Sequence, residues 1–274
     1  MTEMIYSIKA EFVKFKGMFI RYYIDSISEI VSYGLLMFGL ILTVFQNLTG
    51  TNEQIFQLMV GIFIWYIGIN AIAVFSFILQ EEMVLGTLEQ IAITKVPIEK
   101  MLLGRAIGTF IFDSLGAIVL STISFSFVAI FRDLSLETFF SLNLSIPSLI
   151  IVILLTMVSI YGFSFILAGF SLVFKRIGAI TTLLNYLFLF LIGLVMASNQ
   201  LPPTIDLVTK LLPMTLGVIN LKQVIIDSTT LVELVSTYEF WLLILNSGLY
   251  FFIGLSLFKL LFNISIKNGK LSSY

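Results

Sequence analysis

From Ile146 to Phe174 the chain runs without one charged side chain, and apolar runs of the same kind recur along its length. At 1.5 Å per residue, a helical run of about 20 apolar residues matches the ~30 Å hydrocarbon core of a bilayer. Water cannot host several such runs on this chain. Only 11% of its 274 residues are charged and 59% are hydrophobic, whereas soluble domains carry roughly 25% charged residues. The mean hydropathy of +1.08 says the same. The runs are unbroken, unlike the alternating segments of about 10 residues that build an outer-membrane barrel. An all-α integral membrane protein, a single transmembrane domain, is therefore expected.

Several chemistries are excluded at once. The chain has no cysteine and no histidine, which removes disulfides, thiolate or imidazole metal sites, histidine proton relays and the usual nucleophile–base triads. No nucleophile–base pair stands at any plausible depth for an enzyme acting on lipids. The net charge is −1 and no basic patch with interleaved aromatics appears, so no nucleic-acid partner is implied. Lys9, Lys14 and Lys16 precede an apolar run as in a signal peptide. That run is too long, however, and no small-residue cleavage pattern follows it, so retention is expected.

Six spans are expected, at residues 27–45, 55–79, 101–131, 146–174, 177–197 and 240–262. The turn residues Asn47 to Asn52 separate the first two. The third exceeds the core thickness, so tilt or projection is implied. Ahead of them, in residues 4–22, Ile5, Ile8, Phe12, Phe15 and Phe19 recur at steps of three and four. This is the pattern of a helix lying in the membrane interface; a solvated lead-in is the plainer reading. Between the last two spans, residues 199–239 hold two apolar groups, Leu207–Leu212 and Leu216–Ile226, broken by Pro202-Pro203 and Pro213. Each is too short to span. Two short helices on or in the outer leaflet are expected, with a small folded cap as the alternative.

Basic residues set the orientation. Lys9, Lys14, Lys16, Arg21, Lys95, Lys100, Arg105, Lys175, Arg176, Lys259, Lys267 and Lys270 fall on one side of this topology, and only Arg132, Lys210 and Lys222 on the other. The positive-inside rule then places both termini and the 81–100 connection in the cytoplasm of a cell membrane.

That connection is the densest charged segment. Met83, Leu85, Leu88, Ile91 and Ile93 mix with Glu81, Glu82, Glu89 and Gln90. The mixture suits a short amphipathic helix, its start capped or kinked at Gly86-Thr87 and its end set by Val96-Pro97. From the residues alone the acids either meet a partner or simply keep the loop in water, the commoner role of surface charge.

The string Glu82-x-x-x-Gly86-Thr87-Leu88-Glu89-Gln90, followed by Thr94-x-x-Pro97 and Leu103-Gly104-Arg105, resembles the signature of ABC-2-type permeases. These are the membrane subunits of one class of ATP-driven exporters, which includes permeases of the daunorubicin-resistance type. Leu212-Pro213-Met214-Thr215 is similar to a second family motif, with leucine where asparagine is usual. The resemblance implies six spans and a coupling helix between the second and third, docked on a separate cytoplasmic ATPase subunit. It implies contacts from Glu81, Glu82, Leu85, Gly86, Thr87, Leu88, Glu89 and Pro97. ATP and Mg would sit on that subunit, and this chain contains no Gly-x-x-x-x-Gly-Lys-Ser/Thr phosphate loop. A second permease copy or a related chain would complete the pathway. The sparse charge within the spans suits a lipophilic or amphipathic cargo, such as a drug or antimicrobial peptide; a lipid-linked glycan is the alternative within the family. Outside the family, the competing reading is an ion-gradient-driven carrier or channel-like protein without an ATPase partner.

Asp113 is the one acid deep within a span, about 12 Å beyond Arg105 along the third helix. At that depth it marks either a polar path or a helix-to-helix hydrogen bond. Asn70, Asn185, Ser114 and Ser121 are its expected neighbours. The aromatic rings, 14% of the chain, suit lipid-facing and interfacial positions better than a ligand surface. Gly104-x-x-x-Gly108 permits close helix approach.

Overall fold

The computed structural model describes residues 52–93, 97–132, 145–175, 177–197 and 202–269, with separate positions between 6 and 39. About half of the interfacial segment 4–22 and of the first expected span, 27–45, thus lies outside the described residues. So do Thr94, Lys95, Val96, Arg176 and the chain from Lys270 onward. Among the described residues all regular structure is helical.

In chain order the long helices are α1 (Asn52–Val84), α3 (Ile98–Arg132), α4 (Ile146–Phe174), α5 (Gly178–Ala197) and α9 (Tyr238–Lys267). Short helices fill the connections: α2 (Leu88–Ile93), then α6 (Pro203–Leu211), α7 (Thr215–Ile226) and α8 (Leu231–Val235). Segments of α1, α3, α4 and α9 are long and apolar enough to cross a membrane, and Gly178–Phe190 of α5 is a shorter apolar stretch. The chain has the helices and the composition of an all-α membrane protein.

Local chemistry sets the boundaries. Pro147 stands in the first turn of α4, where its missing N–H costs nothing, and the Ser145 and Ser148 hydroxyls pair at 2.7 Å beside it. Pro97 precedes α3, and its carbonyl accepts from the Lys100 amide at 3.0 Å. Thr230 and Glu233 form a reciprocal capping box at the start of α8.

Contacts fix the relative directions. Ser247 Oγ of α9 donates to the Leu155 carbonyl of α4 at 2.8 Å, and Ser159 Oγ of α4 donates to Asn246 Oδ1 at 2.8 Å. Further along both helices, a Cβ on Gly254 would fall 2.8 Å from the Gly162 carbonyl carbon. So α4 and α9 run parallel, backbone against backbone, and only glycine allows that approach. Phe75 of α1 packs on Phe165 of α4 with ring centroids 4.5 Å apart. In contrast α3 runs antiparallel to α1, because Tyr66 meets Gly116 while Glu82 meets Arg105.

Two apolar clusters divide the core. One holds Ile64, Trp65, Ile72, Val152, Ile160 and Leu243 together with Met214, Leu216, Val218, Leu221 and Val224. The other lies toward the opposite end, around Phe75, Leu79, Met83, Leu88, Leu102, Phe165 and Phe258. The first cluster adds to the expectation of two short helices. Helix α7 packs into the bundle core, its apolar residues buried against the long helices. Small residues make the room: Met214 packs over Gly68, and Gly217 sits against Thr156. Asn220 Nδ2 also donates to the Glu239 carbonyl at 3.2 Å, tying α7 to the start of α9. Helix α6 leaves Leu207, Val208 and Leu211 exposed.

Candidate functional site: the turn between α1 and α3

Helix α1 continues through Glu81 and Glu82 and stops because Gly86 takes a left-handed conformation, φ 70°. The Thr87 amide donates to the Glu82 carbonyl at 3.0 Å and the Gly86 amide to the Met83 carbonyl at 3.1 Å. This crossed pair is a Schellman ending, and glycine fits it at no steric cost. Gly86 therefore closes α1. Thr87 then opens α2, its carbonyl accepting from the Ile91 amide at 3.0 Å. Its hydroxyl does not cap α2 but donates back to Glu82 Oε2 and to the Glu82 carbonyl.

Glu82 is the centre of the turn. Its Oε1 accepts from Arg105 Nη2 at 2.9 Å, with side-chain exposures of only 11% for Glu82 and 12% for Arg105. Buried charges persist in an apolar setting only when paired and hydrogen-bonded; the guanidinium and the Thr87 hydroxyl meet that demand here. Leu88 is fully buried among Leu79, Leu102 and Leu172. At the edge of the same end, Lys259 of α9 reaches Glu99 of α3 at 3.3 Å.

The eight residues expected to contact a partner therefore divide. Glu82 and Leu88 face inward and bind the turn to the bundle. Thr87 is half-buried and engaged with Glu82. Glu81, Leu85, Gly86, Glu89 and Pro97 are exposed, and Val84, Gln90 and Ile93 join them on the outer surface. Beside this tip an open groove of about 680 Å³ runs between the end of α1 and the start of α5, lined by Phe77, Gln80, Glu81, Val84, Leu85, Gly178 and Ala179.

Deeper in the bundle, Asn70 Nδ2 donates to Asp113 Oδ1 at 3.4 Å, linking α1 to α3. Two turns nearer the tip along α3, the Tyr161 hydroxyl of α4 donates to the Ala106 carbonyl at 2.9 Å. Asn185 is held elsewhere: its main-chain oxygen accepts from Trp65 Nε1 at 3.4 Å. Gly104 and Gly108 are both buried in the helix packing. Among the described residues no three acidic side chains come together in a way that could hold a metal ion.

The pairing of Arg105 with Glu82 has no reading in the sequence, where Arg105 serves as a motif position, a marker of depth and one of the basic residues that set the orientation. The signal was present: an acid and a base bound the polar connection at its two ends. The α5 wall of the groove carried no sequence signal, since Gly178 and Ala179 lie far along the chain. No protein-family model matches the sequence, and no curated protein matches it either. The resemblance thus rests on the motif residues of the turn and on Leu212-Pro213-Met214-Thr215 alone.

Proposed function

We propose that this chain is the membrane subunit of an ATP-driven exporter of the ABC-2 class. In this reading six spans sit in the cell membrane with both termini in the cytoplasm. The α1–α3 turn is the coupling segment, and a separate ATPase subunit binds ATP and Mg. Closure of two such ATPase subunits pushes on the turns of two permease chains and shifts the bundles between access states. The cargo is a lipophilic or amphipathic molecule, a drug or antimicrobial peptide.

The observation that supports it is the two-faced turn. Motif residues Glu82 and Leu88 anchor the segment, while Val84, Leu85, Glu89 and Ile93 stand outside it. A solvated loop has no need of exposed apolar residues held rigidly by a buried ion pair. A docking surface does. The test is affinity purification of the chain from its native membrane. Wild type is expected to bring down an ATP-hydrolysing subunit, and Leu85→Asp to lose it about tenfold or more, equivalent to about 1.4 kcal/mol, while the bundle stays folded. Recovery of no ATPase subunit with wild type would sink the proposal.

The ion-driven carrier draws on a single observation, the Asn70–Asp113 contact within the bundle. Transport that continues after ATP depletion would favour it.

A further inference from the structure

Three side chains close the α1–α3 turn into a ring. Glu82, on the last turn of α1, accepts from Arg105 two turns into α3, and Thr87 at the corner donates to the same carboxylate. Leu88 adds an apolar link by packing in one cluster with Leu102 and Ala106 of α3. An ion pair this dry is weakly screened by salt and is directional. The Lys259–Glu99 pair at the same end is different, because its lysine is 52% exposed; such pairs hold little. Without the ring, a push on the exposed tip would fall on Gly86, whose left-handed backbone has no side chain to hold it.

We propose that Arg105 is a positioning residue. Through Glu82 it locks the turn and the ends of α1 and α3 into one body, so displacement of the tip travels down the α1–α3 seam to the Asn70–Asp113 contact. This rests on the exporter reading for the source of the push, but the lock itself belongs to the chain alone.

Amide hydrogen exchange tests both parts. In the purified chain in lipid nanodiscs, Arg105→Gln and Glu82→Gln are each expected to speed exchange across residues 88–93 about 100-fold. The double swap Glu82→Arg with Arg105→Glu is expected to return it to within about threefold of wild type. Unchanged exchange in both single variants overturns the proposal. In the complex with the ATPase subunit, trapping with ADP and vanadate is expected to alter exchange at 88–93 and at 105–113 in wild type. In Arg105→Gln only the first region should respond, with the KM for ATP unchanged, and Arg105→Lys should recover part of the second response. A full response at 105–113 in Arg105→Gln overturns the transmission. If wild type binds no ATPase subunit, the exporter reading fails, and exchange in the chain alone still judges the lock.

Discussion

Helices α7 and α2 are both short apolar inserts between long helices, yet the bundle treats them in opposite ways. In α7, Leu216, Val218, Leu221 and Val224 are all buried, and Asn220 ties its backbone to α9. In α2 only Leu88 is buried, while Glu89, Gln90 and Ile93 point outward. Apolar content does not separate them. The difference lies in what surrounds each insert. Gly68 and Thr156 leave a space that α7 fills. By contrast, the Glu82–Arg105 pair fixes α2 at the rim of the bundle, where one leucine reaches in. A short helix becomes core when its neighbours are small, and a presented surface when a polar clamp holds it at an edge.

The largest effect should come from removing the clamp. Glu82→Ala takes the carboxylate away from a guanidinium that stays in an apolar setting, at a cost of about 3–5 kcal/mol. Intrinsic fluorescence of Trp65, which is buried in the bundle, would report the lowered melting temperature. If Glu82→Ala melts like wild type, the turn is not clamped and the contrast with α7 collapses. Next in size is a pair within the turn itself. Leu88→Ala leaves a cavity among Leu79, Leu102 and Leu172 and should cost about 3 kcal/mol. Leu85→Ala, at 65% exposure, should stay within about 0.5 kcal/mol. Equal losses at the two leucines would show that the turn has no outward side.

Part of this arrangement was legible in the sequence. Helix α4 has the bounds Ile146–Phe174 that its charge-free run, Pro147 and Lys175 announce, because those signals are local. Asp113 and Asn70 could be named as partners because polar groups at similar depth have few alternatives in an apolar bundle. The second expected span ended at residue 79, five residues short of Val84, since two successive glutamates read as the start of a loop. They stay helical because Glu82 meets a base 23 residues on. That meeting depends on the antiparallel register of α1 and α3, which no window of sequence contains. The same dependence on register hid the inward packing of Glu82 and Leu88 and the burial of α7 in the bundle.

At the opposite end, Gly217→Val tests the fit of α7. A Cβ there would come within 2.8 Å of the Thr156 Cβ, on two helices with no slack between them. Overpacking of this kind costs about 1–3 kcal/mol. The double variant with Thr156→Ala should recover most of the loss, as neighbours in one contact are not additive. If Gly217→Val is neutral, α7 is not packed as core, and it resembles α2 more than the contrast allows.

The smallest effect concerns α8, which opens on a complete capping box, and it asks whether that end has a part that moves independently. Glu233 accepts from the Thr230 amide at 2.8 Å, and this backbone hydrogen bond, followed by the Thr230 hydroxyl contact, holds its carboxyl below the usual value of 4.5. The sign follows from linkage. A group whose pKa is lower when folded adds its stabilisation above its unfolded value, and that contribution fades as pH falls through the folded value. Exchange of the Leu234 and Val235 amides should therefore be constant above about pH 5 and rise below it, relative to intrinsic rates. Glu233→Gln should flatten the acid dependence, and Thr230→Ala should raise exchange at all pH values while keeping most of that dependence, with Trp65 melting unchanged. A parallel acid response in the α7 amides would mean that α8 unfolds only with the core. Then that whole end would be a single rigid block.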